Sequence, residues 1–316
     1  MNFIKTSEHF PSCSGKGENA CYFWMPASGR VRAIVQLAHG MCEYAERYEH
    51  LADFLCAADI ALVAHDHQGH GHSTASPDDL GFIDEKNGAD LLTADFRKMH
   101  LIIRERYPDT PVFLLGHSMG SFIVRDYLSR WSDDLSGAVI CGTAGPNPAA
   151  KAGILLAKAV IRLKGSRHRS KLLTSLSTGA YGKAFPGDPA GKNAWISRDA
   201  AVTDRYAADP LCRYTFTAAG YRDLFTLLDR VSAPGWAACL SKELPLYLIA
   251  GEQDPVGDMG KGVRIVADRL QQAGIRDLTL RLYADDRHEI FNELDKDRVF
   301  SDLLCWLEER LPAEKV

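Results

Sequence analysis

The sequence predicts an α/β fold in which a mostly parallel central sheet is flanked by helices and interrupted by a helical insertion. Short apolar segments alternate with helical patterns from residue 31 to residue 141, and the alternation resumes at residue 246. The apolar segments contain few polar residues at alternate positions, which is typical of strands buried on both faces. Between residues 145 and 240, helical stretches separated by glycine and proline replace the strand pattern.

The elements are expected in a regular order along the chain. The predicted strands lie at residues 31–38, 60–65, 111–115, 137–141, 246–250 and 278–283. The predicted helices span residues 46–58, 89–107, 120 to about 130, 262–273 and a closing segment to about 311. Residues 4–10 and 20–25 predict an antiparallel hairpin at the sheet edge. We therefore divide the chain into a core of residues 1–144 and 241–316 and a helical cap of residues 145–240.

Composition and charge narrow the classes of function. Hydrophobic residues make up 46% and charged residues 25%, a balance that can build a sizeable globular core. The net charge of -4 argues against a nucleic-acid binder, which usually carries a basic surplus. No signal peptide or membrane-spanning run is recognised. The eight cysteines have no metal-ligand spacing and indicate free thiols in a reducing compartment, so we expect a cytoplasmic location.

A G-x-S-x-G motif places a candidate nucleophile at Ser118. The motif occupies residues 116–120 (GHSMG), with a predicted strand before it and a predicted helix after it. In that context the serine lies on a sharp turn above the carboxyl end of the sheet, and the small flanking residues let the neighbouring backbone approach closely. A chance match in a loop is the alternative, and the strand–turn–helix context argues against it.

A serine hydroxyl is a poor nucleophile until a base removes its proton. Asp254 follows the strand at 246–250, and His288 follows the strand at 278–283. Their order after Ser118 and their position at carboxyl ends of strands predict a catalytic triad of Ser118, Asp254 and His288. Asp285 and Asp286 are too close to His288 in the chain to reach its ring from another strand, and we expect them to be loop or capping residues. His117 flanks the nucleophile but is expected to point away from its hydroxyl. Five other histidines precede Ser118 and so contradict the expected order: His39, His65, His67, His70 and His72. Most of the histidines are expected to be structural or solvent-exposed.

Acyl transfer also requires hydrogen-bond donors for the oxyanion. The backbone N–H of Met119, directly after the nucleophile, is the first candidate. The second is the backbone N–H of Met41, in the loop after the strand at 31–38, although His39-Gly40 could also be an ordinary strand-ending turn. The histidine spacings show no tight metal cluster, and the triad needs no Lewis acid, so we predict no metal.

Four stretches carry a resemblance to a known family: HGMCEYAERY at 39–48, HDHQGHGHS at 65–73, FLLGHSMGS at 113–121 and IAGEQDPVG at 249–257. With them the chain resembles the monoacylglycerol lipase and lysophospholipase group of α/β hydrolases, also described as serine aminopeptidase-like. The resemblance implies an α/β-hydrolase fold, hydrolysis of a small-molecule acyl ester through an acyl-enzyme, no metal or organic cofactor, and a helical cap over the acyl pocket. It also implies that residues 65–72 form a shaped loop beneath the site.

Some residues depart from the family pattern. Cys42 and Tyr44 stand where glycine and histidine are usual, and Ser121 stands where a second glycine is common, which weakens the substrate prediction more than the predicted chemistry. Glu43 and Arg47 match the family, and an ion pair across one helical turn explains them as well as a substrate contact does.

Several alternatives stay open. Dehalogenases and epoxide hydrolases of this fold use a carboxylate nucleophile, which Ser118 excludes, but a thioesterase, acyltransferase or peptidase would keep the same triad. A ligand-binding homologue without turnover is a further alternative. Six cap aromatics could line an acyl channel or simply pack the cap: Phe185, Trp195, Tyr206, Phe216, Tyr221 and Phe225.

Residues 151–171 contain seven lysines and arginines and no acidic residue. One interpretation is a cap helix packed on the core and followed by a solvated basic loop. The other is a face that contacts anionic lipid, which would give peripheral membrane contact through the cap.

Overall fold

An eight-stranded sheet runs through the computed structural model, which describes residues 1–312. The strands, in chain order, are β1 Phe3–Pro11, β2 Glu18–Pro26, β3 Ala33–Ala38, β4 Ile60–His65, β5 Val112–His117, β6 Gly137–Cys141, β7 Leu246–Gly251 and β8 Leu278–Tyr283. Their spatial order is β1-β2-β4-β3-β5-β6-β7-β8. The hairpin β1–β2 is antiparallel and joins β4 antiparallel, whereas all pairs from β4 to β8 are parallel. The predicted mostly parallel sheet with an edge hairpin is therefore confirmed.

Nine α-helices occur within residues 1–312. They are α1 Glu49–Cys56, α2 Gly88–Arg106, α3 Met119–Leu128, α4 Ala150–Lys164, α5 Lys171–Ser177, α6 Ala200–Ala208, α7 Ala218–Ser232, α8 Lys261–Gln272 and α9 Lys296–Glu308. The helix predicted over 46–58 is split into a 3₁₀ turn, Ala45–Tyr48, and α1. None of these helices is long and apolar enough to cross a membrane.

The central strands have the two-sided burial that their apolar sequences predict. Every residue of β3, β4, β5, β6 and β7 is buried, so helices cover both faces of the sheet. In β5, Leu114 faces one apolar layer, which also contains residues of α2, α3 and α7. Phe113 and Leu115 face the other, with residues of α1 and α9. The two layers fix β5 at the centre of the molecule.

Residues 145–240 all lie in the described part of the chain and contain helices and no strand. They rest on the core through α7, most of whose residues are buried. The Arg125 Nη2 donates to the Val231 carbonyl at 2.7 Å, and the Trp236 indole N–H donates to the Arg125 carbonyl at 2.9 Å. The guanidinium carbon of Arg125 also lies 4.2 Å from the centre of the Trp236 ring. These contacts fasten the C-terminal end of the insertion beneath α3.

Replacing Phe113 with alanine tests the central position of β5. Phe113 is fully buried and meets the Trp306 ring edge-on at a centroid distance of 5.9 Å. Phe113→Ala should lower the free energy of unfolding by about 3–5 kcal/mol, because it removes apolar contacts and leaves a cavity. Leu101→Ala on α2, where the side chain is 51% exposed, should change it by less than about 0.5 kcal/mol. Urea denaturation measures both, and equal effects would contradict this assignment of the core.

Candidate active site

Ser118 occupies the junction between β5 and α3 in a backbone conformation that side chains rarely adopt. Its φ is 55° and its ψ is -120°. Such a conformation costs free energy and persists only where the surroundings hold it. The Ser118 N–H donates to the Cys141 carbonyl at 3.0 Å, and the Ser118 carbonyl accepts from the Ser121 hydroxyl at 2.6 Å. These bonds hold the strained turn on both sides.

The two glycines of the motif are required by close backbone contacts. A Cβ on Gly116 would lie 2.4 Å from the Gly120 carbonyl oxygen, and a Cβ on Gly120 would lie 2.0 Å from the Ala38 carbonyl oxygen. No side chain fits at either distance. The first turn of α3 therefore lies directly against the end of β3. This contact brings the loop after β3 beside the serine.

The structure places Asp254 and His288 together although they follow different strands. His288 Nδ1 lies 2.9 Å from Asp254 Oδ2. Both side chains are buried, and the second oxygen of Asp254 accepts from the Val256 N–H at 2.9 Å. The hydrogen on His288 Nδ1 is donated to the Asp254 carboxylate, so Nε2 is available for another hydrogen-bond partner. His288 and Ser118 line the same cavity.

The two predicted oxyanion donors also border this cavity, beside Ser118. Met119 is the first residue of α3, so its N–H has no intrahelical acceptor and points from the positive end of the helix. Met41 follows Gly40, whose N–H donates to the Glu43 carboxylate. The carboxylate thus holds the loop that carries Met41.

The cavity, about 430 Å³ in volume, is lined by apolar and by polar side chains, which we call its apolar wall and its polar wall. Its apolar wall comes from α3, α5, α7 and α8 and includes Phe122, Leu176, Leu224, Phe225, Leu228 and Ile265. Its polar wall includes Glu43, His117, Tyr206, His288 and Glu289. Of the six cap aromatics, Trp195, Tyr206 and Phe225 line this cavity. Phe185 and Tyr221 instead line a second cavity of about 580 Å³ next to it, and Phe216 is fully buried in the core.

Trp195 and Arg198 connect residues 145–240 with the loop that carries His288. The Trp195 ring lies 4.8 Å from the His288 ring, and the backbone N–H of His288 donates to the Trp195 carbonyl at 3.1 Å. Arg198 forms ion pairs with Asp286, Glu293 and Asp295. Asp286 lies in a loop, as expected, and also takes part in this contact. Burial, followed by the neighbouring Asp295, raises the pKa of Asp286 to about 8.

A buried network of charges lies beneath the polar wall, and sequence analysis recognised only part of it. Arg47 pairs with Glu43 at 3.0 Å across one helical turn, as expected, and also with Glu289 at 2.7 Å. Glu43 further accepts from Tyr48 Oη at 3.0 Å and contacts His117 Nδ1 at 3.1 Å. Glu289, the residue after His288, was missed, because its partner lies far away in the sequence.

The histidines at 39, 65, 67 and 70 form a buried cluster of rings beneath the site. The His67 N–H donates to His39 Nε2 at 3.0 Å, and His39 Nδ1 lies 2.9 Å from the Gly40 carbonyl, which fixes a neutral tautomer of His39. Burial lowers the pKa of His65 and of His70 to about 4. These contacts are structural. Within residues 1–312, the group of acidic or histidine side chains whose ligand atoms converge is instead Asp286, Glu293 and Asp295, around Arg198.

A strained serine at a strand–helix junction, a buried Asp–His pair and this sheet order define the class of serine hydrolases with the α/β-hydrolase fold. The chain belongs to the serine aminopeptidase S33 family, whose sequence model matches residues 29–295.

Similar proteins agree with this assignment. The chain is 31% identical over 284 residues to a monoacylglycerol lipase of Mycolicibacterium smegmatis, with 90% of each chain covered. It is 28% identical over 306 residues to human monoglyceride lipase, covering 92% of this chain and 86% of that protein. A thermostable carboxyl esterase from Bacillus coagulans, solved with glycerol, superposes with a TM-score of 0.90 at 29% identity, covering 97% and 98% of the two chains. The α/β-hydrolase fold is confirmed, and the chain is a carboxylic ester hydrolase.

Gly120→Ala tests the contact between α3 and β3. The added methyl group would force the end of β3 away from α3 and shift the amides of Met41 and Met119 relative to Ser118. A misplacement of about 1 Å costs on the order of 100-fold in rate, so kcat should fall by about that factor. The measurement is hydrolysis of a p-nitrophenyl ester.

The matched control is Gly235→Ala, because a Cβ there meets no atom within 4 Å. It should leave kcat unchanged. A Gly120→Ala protein with the kcat of the wild type would contradict the requirement for close backbone contact.

Proposed function

We propose that the chain hydrolyses monoacylglycerols, with Ser118 as nucleophile, His288 as general base and acid, and Asp254 as the residue that orients His288. The observation that carries the proposal is the strained Ser118 in one cavity with His288, whose Nδ1 is bonded to Asp254 at 2.9 Å. The apolar and polar walls of that cavity suit an acyl chain with a small polar head group.

In the first half of the reaction, Ser118 Oγ attacks the ester carbonyl carbon while His288 Nε2 takes its proton. The backbone N–H groups of Met41 and Met119 donate to the oxyanion of the tetrahedral intermediate. Asp254 stabilises the imidazolium of His288 through Nδ1. The C–O bond then breaks, His288 gives its proton to the leaving alcohol oxygen, and glycerol departs from the acyl-enzyme.

The second half repeats these steps with water. His288 takes a proton from the water, whose oxygen attacks the acyl carbon of the Ser118 ester. Collapse of this intermediate returns the proton to Ser118 Oγ and releases the fatty acid. The proposed cycle requires no metal and no organic cofactor, because the base and the oxyanion donors belong to the chain.

The cavity walls favour a monoester as substrate. Phe122, Leu224 and Phe225 provide apolar surface for the acyl chain. Glu43 and Glu289 line the same cavity as His288, and carboxylates accept hydrogen bonds from free hydroxyl groups such as those of glycerol. The curated relatives named as monoacylglycerol and monoglyceride lipases support this substrate class.

We further propose that residues 145–240 form a cap whose outer face contacts lipid. Leu155, Leu163, Leu172 and Leu176 on α4 and α5 are 54–81% exposed. Around them, five cations have no ion pair with the described residues: Lys151, Lys158, Arg162, Lys164 and Lys171. Leu176 also lines the cavity, so this face leads to the active site. An apolar face rimmed by cations suits binding at an anionic lipid surface.

The loop after α4 differs from the solvated segment that the sequence suggested. Arg167 pairs with Asp79 and lies 4.0 Å from the centre of the Phe82 ring. Arg169 donates to the carbonyls of Leu80 at 2.8 Å and Asp78 at 3.1 Å. The loop therefore anchors the cap to the core, and the cations without an ion pair lie on α4 and α5.

We also propose a cytoplasmic location, because all eight cysteines are free thiols, which suits a reducing compartment.

The triad is tested by Ser118→Ala and Asp254→Asn. Ser118→Ala should lower kcat by about 10⁶, because the triad acts as a unit. Asp254→Asn should cost about 10⁴, because the amide stabilises the wrong tautomer of His288. Rates are measured on monoacylglycerols, lysophospholipids, acyl thioesters and p-nitrophenyl esters of graded chain length.

Asp285→Asn is the matched control, since this exposed aspartate lies close to His288 in the chain, and its kcat should not change. If Ser118→Ala kept a tenth of the esterase activity, the mechanism would be wrong. Faster hydrolysis of thioesters than of monoacylglycerols would indicate a thioesterase instead. Failure of Ser118 to react with a fluorophosphonate would favour a ligand-binding protein without turnover.

The lipid-binding face is tested by co-sedimentation with vesicles of phosphatidylglycerol and phosphatidylcholine. Binding should rise with the anionic fraction and weaken with salt, because exposed charges are screened within about 8 Å at physiological ionic strength. Lys158→Glu/Arg162→Glu should reduce binding, and Leu155→Ser/Leu163→Ser should reduce it at every salt concentration. Lys16→Glu/Lys86→Glu makes the same charge change outside the cap and should bind like the wild type. Equal binding of all variants to the vesicles would contradict the proposed lipid-binding face.

A further inference from the structure

His117 lies between two hydrogen-bond acceptors on opposite sides of its ring. Its Nε2 is 3.1 Å from the backbone carbonyl oxygen of His288. Its Nδ1 is 3.1 Å from Glu43 Oε1 and 2.9 Å from Tyr48 Oη. The side chain is buried, with 3% of its surface exposed. All three contacts are within hydrogen-bond distance of a ring nitrogen.

The distribution of donors and acceptors determines the protonation of this ring. A backbone carbonyl only accepts, so Nε2 must carry a hydrogen. Tyr48 Oη lies 3.0 Å from the same Glu43 oxygen and has a single hydrogen to donate. If Tyr48 gave that hydrogen to Nδ1, the Glu43 oxygen would face the ring nitrogen at 3.1 Å without a hydrogen between them. With a hydrogen on Nδ1 as well, every group in the cluster has a partner.

We propose that His117 is an imidazolium at neutral pH, paired with Glu43, and that it is a positioning residue for hydrolysis. The inference deepens the proposed function and rests on it. Glu43 also accepts from the N–H of Gly40, beside the oxyanion donor Met41. His117 in turn holds the carbonyl of His288, beside the base. The ion pair between His117 and Glu43 therefore connects the loop of the oxyanion donor Met41 with the loop of the general base His288.

The charges around His117 support its protonated form. Burial alone would lower the pKa of His117, but the hydrogen bond and charge of Glu43, together with the charge of Glu289, raise it above its usual value. Burial would likewise raise the pKa of Glu43, but His117 and Arg47 lower it. The titratable and charged groups that face His117 from the elements packed on it are Glu43, Arg47, Tyr48, Cys141, His288 and Glu289.

The sign of the pH effect follows from this ion pair. The bond from His117 to the His288 carbonyl is charge-assisted below the raised pKa of His117 and weakens as pH rises through that pKa. Activity should therefore decline on the alkaline side. Removing the Glu43 carboxylate lowers the pKa of His117 and moves this decline to lower pH.

The direct test is the ring ¹⁵N spectrum of the full chain labelled at histidine, which requires no turnover. At pH 7 both ring nitrogens of His117 should carry hydrogens, with the signals assigned by their loss in His117→Gln. Tyr48→Phe should keep the imidazolium, and Glu43→Gln should show a neutral ring. A neutral His117 in the wild type between pH 6 and 8, or an imidazolium in Glu43→Gln, overturns the proposal even where the protein proves to hydrolyse esters as proposed.

The kinetic test compares kcat with pH after counting active sites with a fluorophosphonate. Glu43→Gln should lower kcat at pH 8 by about 10- to 100-fold, with a smaller loss at pH 6, because it weakens a charge-assisted hydrogen bond. His117→Gln keeps a donor towards His288 but does not titrate, and its alkaline decline should disappear. Glu46→Gln, which breaks a surface pair with Lys5, is the matched control with an unchanged profile. An equal loss at every pH in Glu43→Gln would show a purely structural role and overturn the proposal.

Discussion

The backbone of Gly120 lies so close to the end of β3 that an added Cβ would be 2.0 Å from the Ala38 carbonyl oxygen. This contact between main chains sets the geometry of the whole site. It brings the N-terminus of α3 against the loop at residues 39–41 and leaves Ser118 on a turn with a φ of 55°. The surrounding sheet supplies the free energy that keeps this turn strained, because Ser118 is bonded to β6 through the Cys141 carbonyl at 3.0 Å.

Residues 145–240 contact the rest of the described chain at several separate places. Arg125 and Trp236 fasten the end of α7 beneath α3, and Arg167 and Arg169 bind the loop after α4 to residues 78–82. A third attachment, around Arg198, joins the insertion to the loop of His288. The cavity that residues 145–240 line together with the rest of the chain therefore has walls fixed by contacts with main-chain and charged groups, which preorganises the space around Ser118.

The sequence predicted those features that depend on local pattern. The bounds of β4, β6 and β8 were predicted to the residue, because short apolar segments between turn residues leave little choice. The G-x-S-x-G motif and the positions of Asp254 and His288 at strand ends led to the predicted triad; in the structure His288 Nδ1 lies 2.9 Å from Asp254 Oδ2, and Ser118 and His288 line the same cavity. The helix expected over 46–58 was wrong in its first turn, where Ala45–Tyr48 form a 3₁₀ turn and Ala45 donates its N–H to Asp66. That contact spans 21 residues and leaves no local signal.

The network around Glu43 could be predicted only as one ion pair, with Arg47. Its other members come from β5, the 3₁₀ turn and the loop after β8, and their distances depend on how these elements pack. Likewise, the sequence pattern of a basic segment is the same whether its arginines face water or donate to carbonyl oxygens. Arg169 shows the second case, and no composition rule separates it from Lys158 on the neighbouring helix.

The cluster of buried neutral histidines gives the fold a dependence on acidity that is separate from catalysis. Burial lowers the pKa of His39 to about 3 and the pKa of His65 and His70 to about 4, whereas unfolded histidine has a pKa of about 6.5. Below pH 6.5 these histidines bind protons in the unfolded chain but stay neutral in the folded chain, so unfolding is coupled to proton uptake. The folded state thus loses stability progressively as the medium is acidified from pH 6.5 towards 4, and the buried histidine cluster limits the acidity that the protein tolerates.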